Sequence, residues 1–117
     1  MVNLTQSFKM QRPDIYITIN VHLSVLNAEL KLCRTLIREC KATRHTLELE
    51  IEEARSADDR GLLTEKQYDL TRATIRIEDL RRRMAGLMGA IDEEEDYLFE
   101  IAELMHNTEF GNDEQPE

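Results

Sequence analysis

The stretch DIYITINVHLSV, Asp14 to Val25, alternates without an error: Ile15, Ile17, Ile19, Val21, Leu23 and Val25 are branched and apolar, and every residue between them carries a polar atom. Strict alternation is the pattern of a half-buried strand, and it places all six apolar side chains on one face. A helical reading also exists, because Tyr16, Ile19, Leu23 and Leu26 continue a seven-residue repeat that begins farther on. It leaves Ile15, Ile17, Val21 and Val25 outside that repeat and puts β-branched residues where helix propensity is poor. The alternation therefore predicts an extended or strand-like segment over 14–25. A lone strand leaves its backbone groups unpaired, so it needs a mate, and no second stretch of this chain alternates as well. The segment reads as an assembly device for a second copy or for a client protein.

From Leu26 the rhythm changes. Leu26, Leu30, Cys33, Ile37, Cys40, Arg44, Leu47, Ile51 and Ala54 follow in steps of four and three. That is the seam of a long helix packed on a partner, with Arg44 its one polar position. The seam resumes at Leu70 and runs through Ala73, Ile77, Leu80, Met84, Leu87, Ile91, Glu94, Leu98, Ile101 and Met105, with Glu94 the polar position. Between the two seams, SADDRGLLTEKQYD carries the turn residues. Thr64 and Gln67 have the spacing of a capping box, and Leu63 and Tyr68 that of a hydrophobic staple.

The expectation is an all-α fold, a long antiparallel helical hairpin of coiled-coil type with an N-terminal extended/β segment, dimerising into a four-helix bundle. Its parts are a flexible N-terminus (1–13), the assembly segment (14–25), helix 1 (about 26–57), a turn (58–63), helix 2 (about 65–106, the hairpin extending to 107) and a disordered acidic tail (108–117). Gly86 and Gly89 leave open whether helix 2 breaks between them. Folding the hairpin about Arg60–Gly61 brings Glu48 and Glu52 near Arg72 and Arg76.

Composition supports an assembling helical chain. Among 117 residues 33% are charged, 5% are aromatic and none is Trp, so material for a thick monomeric core is scarce. Toward the open end the apolar stripe widens beyond what one partner helix covers. The expected interface is Ile15, Ile17, Ile19, Val21, Leu23 and Val25 with Leu32, Leu36, Met88, Tyr97, Phe99 and Leu104.

Net charge is -9. Seven Lys/Arg stand against three carboxylates up to residue 45, a surplus of four positives, and the remainder of the chain carries the acid. Phosphate backbones and anionic lipids repel such a molecule unless its basic residues cluster. Arg38, Lys41, Arg76, Arg81, Arg82 and Arg83 are the candidates for a mid-rod nucleic-acid-binding band, the alternative being a β-ribbon made by 14–25.

Catalytic chemistry has little foundation. His22, His45 and His106 are far apart in sequence, and no phosphate-binding loop or nucleophile motif is present. Glu103 and His106 have the Glu-x-x-His spacing of di-iron bundles, but no carboxylate falls among residues 15–28 opposite them. Cys33 and Cys40 read as small buried hydrophobes. The polar opening MVNLTQSFKMQRP resembles neither a signal peptide nor a span. These observations predict a cytoplasmic, non-enzymatic protein–protein interaction module (adaptor, assembly chaperone, scaffold or inhibitor), with no cofactor or metal and no membrane. Its predicted partners are itself, as a homodimer, and an unidentified protein client, ahead of nucleic acid.

Overall fold

The computed structural model describes the backbone of residues 4–107 and the side chains of 14–107. Two helices account for these residues, α1 (Leu4–Ser56) and α2 (Arg60–His106), and no strand occurs among them. The extended reading of 14–25 is thereby corrected, and so is a start of helix 1 at residue 26. The backbone of 4–13 is helical too, while residues 1–3 and the tail 108–117 fall outside the described residues.

The correction has a clear physical source. Successive residues on a helix are about 100° apart, so an apolar residue at every second position draws two interleaved i, i+4, i+8 rows about 200° apart. Ile15, Ile19 and Leu23 form one row, and Ile17, Val21 and Val25 form the other. Six β-branched residues in 14–25 each lose roughly 0.5 kcal/mol of helix propensity. Against that, Ile19, Leu23 and Leu26 are 7, 9 and 8% exposed, and burying such side chains gives roughly 1.5–3 kcal/mol each. The polar residues between them are accommodated as well. The Thr18 hydroxyl donates to the Asp14 carbonyl (2.8 Å), and the Asn20 and Asn27 amides donate to the carbonyls of Tyr16 (3.0 Å) and Leu23 (2.9 Å).

The chain forms two compact units, one from residues 29–87 and one from the flanking segments 1–28 and 88–117, of which the side chains of 14–28 and 88–107 are described. In the 29–87 unit the arms of α1 and α2 make an antiparallel hairpin around Leu30, Cys33, Ile37, Leu47, Ile51 and Ala54 of α1 and Ile77, Leu80 and Leu87 of α2, all buried. Ile77, at 1%, is the most enclosed. In the other unit Ile19, Leu23 and Leu26 of α1 and Ile91 and Ile101 of α2 are buried. α2 runs without a break through Gly86 and Gly89, where a Cβ would meet nothing within 4 Å.

The turn is tighter than expected and lies earlier. Asp58 takes a left-handed conformation (φ 52°). Its N–H donates to the Arg55 carbonyl (3.1 Å), and the Asp59 N–H reaches back to that of Ala54 (3.0 Å). These two bonds are the Schellman closure of a helix C-terminus. Asp59 then caps α2, its carboxylate accepting from the Leu62 N–H at 3.1 Å. The expected capping box does not form, because Thr64 is already inside the helix and its hydroxyl donates to the Arg60 carbonyl at 2.9 Å. The staple is absent too: Tyr68 is exposed, with the Arg72 guanidinium 5.9 Å from its ring centre. Adjacent aspartates thus have opposite energetic roles. Asp59→Ala is expected to cost about 1 kcal/mol, whereas Asp58→Gly relieves the left-handed backbone and gains on the order of 0.5 kcal/mol. Urea denaturation midpoints moving in opposite directions check both.

The early turn also resets which residues face each other. Glu50, rather than Glu48 or Glu52, meets the second arm, through Lys66 at 2.7 Å, and Glu29 meets Arg83 at 3.7 Å. Glu52 pairs within its own helix with Arg55 at 2.8 Å. The Glu50 oxygen facing Lys66 is shut off from solvent, and no hydrogen-bond donor other than that ammonium is within reach. The contact with Glu50 raises the Lys66 pKa above its ordinary 10.5, against the lowering effect of desolvation.

Candidate functional site

The unit made of residues 14–28 and 88–107 stands out on two counts. These two segments, the part of the unit whose side chains are described, hold eight carboxylates (Asp14, the run Asp92–Asp96, Glu100 and Glu103) and neither Lys nor Arg. Among the described residues they also expose eight large apolar side chains, against five in the longer 29–87 unit. Among the described residues, uncovered apolar surface thus lies beside uncompensated negative charge.

Two features organise this surface. The first is the outer row of α1. Ile17, Val21 and Val25 are 59, 59 and 49% exposed, and they project from the side of the helix opposite the seam. The second is an open cleft of about 500 Å³ between the two helices, lined by Asp14, Ile15, Thr18, Ile19, Glu93, Glu94 and Tyr97. Beside it the imidazole Nδ1 of His22 lies 3.1 Å from Oε1 of Glu94. The polar position of the second seam is therefore half-buried and paired across the helices. Arg44, its counterpart in α1, is half-buried.

The expected interface residues divide by the helical geometry. Ile19 and Leu23 are spent in the seam, Ile15 and Leu36 are half-buried, and Ile17, Val21, Val25, Leu32, Met88, Tyr97, Phe99 and Leu104 are exposed. The alternating stretch thus offers a partner half of its apolar residues rather than all six. Sequence reasoning missed the His22–Glu94 pair and the cleft. The signal available was the lack of Lys and Arg in two segments that only the folded chain brings together.

The arginine candidates are dispersed. Arg81, Arg82 and Arg83 are consecutive and fan around α2 at about 100° intervals. Arg82 lies 3.4 Å from Asp79 of its own helix, and Arg83 faces Glu29. Arg76 lines a smaller cleft of about 350 Å³ with Cys40, Thr43, Leu47, Asp69, Arg72 and Ala73. Arg38 and Lys41 are exposed on α1, three residues apart and on one face. Cys33 is buried and Cys40 half-buried, both as free thiols.

Among the described residues no three of His, Cys, Asp and Glu converge to hold a metal ion. No helix among them is long and apolar enough to cross a membrane. No family model matches the chain, and neither a curated protein nor a solved structure matches it.

Proposed function

We propose that this chain is a non-enzymatic protein–protein interaction module, of the adaptor, scaffold, inhibitor or assembly-chaperone kind, that works as a helical homo-oligomer. The observation that supports this reading is the exposed row Ile17, Val21 and Val25 on the face of α1 turned away from its own partner helix. Residues 14–28 carry one formal charge, Asp14, besides His22. A second copy meeting this row therefore encounters little like charge, and two paired-helix units joined along it make a four-helix bundle.

Six half-exposed side chains, three from each copy, would each contribute about half of the roughly 1.5–3 kcal/mol that a fully exposed one gives on burial. The total is of the same order as the roughly 4–15 kcal/mol lost in translational and rotational freedom. The association is then reversible and concentration-dependent. Light scattering over a range of concentrations is expected to give a mass that rises above 13.7 kDa, whereas Val21→Lys/Val25→Lys stays monomeric with helical circular dichroism unchanged. A wild-type chain that is monomeric at every concentration sinks the homo-oligomer.

A further inference from the structure

The cleft in the 14–28/88–107 unit differs in character from the outer row of α1. Ile15 and Ile19 give it an apolar floor, and Tyr97, 55% exposed, supplies an aromatic wall. Its charged lining is Asp14, Glu93 and Glu94, all of one sign, and the segments 14–28 and 88–107 contain no Lys or Arg to neutralise them. Its volume, about 500 Å³, lies within the range of ligand sites. An apolar floor under a negative rim is complementary to an apolar body carrying positive ends.

We propose that this cleft docks an amphipathic segment of a protein partner in which Lys or Arg side chains flank an apolar anchor. The inference rests on the reading of the chain as an interaction module and names the partner chemistry. The anchor fills the floor over Ile15 and Ile19. The flanking cations meet Asp14 and Glu93, and one lies over the Tyr97 ring. The last contact is of the kind Arg72 already makes with Tyr68 at 5.9 Å, worth most when the cation is a guanidinium.

A second copy is the obvious rival occupant, because Lys31, Arg34, Arg38 and Lys41 line one exposed face of α1 at i, i+3, i+7 and i+10. That face has no anchor to offer. Leu32 is the one large apolar side chain exposed between residues 31 and 48, and it lies at least about 120° around the helix from Arg34, Arg38 and Lys41. Against that face the rim would be satisfied and the floor left empty; the α2 surface that carries Ile75 between Arg72 and Arg76 is the second-copy occupant that the oligomer measurement below tests.

The test uses the full chain and two labelled model peptides, one of Leu and Lys at helical spacing and one with Glu replacing Lys, followed by fluorescence anisotropy at low and moderate salt. The Leu/Lys peptide is expected to bind, more weakly as salt rises, and the Leu/Glu peptide to fail. Tyr97→Ala, which leaves net charge unchanged, weakens binding about fivefold, while Tyr97→Phe retains it. Asp14→Lys/Glu93→Lys lowers affinity at least about tenfold. Glu48→Lys/Glu53→Lys, an equal charge change in the other unit, shifts it by less than about twofold. The proposal is overturned if the Leu/Lys peptide does not bind at low salt, or if Glu48→Lys/Glu53→Lys weakens it as much as the cleft variant does. It is also overturned if Asp14→Lys/Glu93→Lys dissociates the oligomer without peptide, since the occupant is then a second copy. Sedimentation of the wild-type chain alone keeps the two readings apart: an oligomer that ignores the peptide refutes the cleft and leaves the module standing.

Discussion

Ile77→Ala is expected to destabilise the 29–87 unit by about 2–5 kcal/mol, the cost of deleting buried carbons from a site that relaxes only partly. Ile77 is 1% exposed and sits in the α2 seam, where no buried polar group relieves the loss. A two-helix unit has no other layer from which to refill the space. Ile75, two residues away and 52% exposed, provides the control, and its alanine variant should stay within about 0.5 kcal/mol of the parent. Urea denaturation followed by circular dichroism measures both. Equal midpoints for the two variants would mean that the seam is not packed as described.

The second large effect separates helix from strand in the alternating stretch Asp14 to Val25. Ile19→Lys removes from the seam a side chain that is 7% exposed, and the lost burial should cost roughly 1.5–3 kcal/mol even with the carboxylates of the adjoining cleft beside the new ammonium. Ile17→Lys, on the opposite side of the same helix, should be close to neutral for folding, since lysine is the better helix former. A strand presents both residues to one face, so it predicts the same outcome for both. Hydrogen exchange over residues 14–28 reads the difference directly: protection is lost in Ile19→Lys and kept in Ile17→Lys.

Much of the fold was legible because a four–three repeat allows few alternatives. Every apolar seam position read from Leu26 to Ala54, and again from Leu70 to Met105, is buried or half-buried. The first two dozen residues were ambiguous for a geometric reason. A perfect period of two contains two helical rows, and the choice between strand and helix depends on whether α2 extends far enough to cover one of them. It does, running to His106, and no local property of residues 14–25 announces it. The turn was misplaced for a different reason. Thr64 and Gln67 imitate a capping box, while Asp58 and Asp59 close one helix and open the next within three residues. The candidate surface was half legible: the exposed row and Tyr97 were named, but the cleft joins Asp14 to Glu93 across most of the chain length.

The acidic unit has a practical corollary. The four lysines of this chain are Lys9, Lys31, Lys41 and Lys66, so residues 14–28 and 88–107 give amine-reactive cross-linkers no side-chain handle and trypsin no cleavage site. Footprinting that relies on either reagent will report a complex only from residues outside these two segments. Carbodiimide coupling or glutamyl endopeptidase digestion, by contrast, reads the surface where contact is expected.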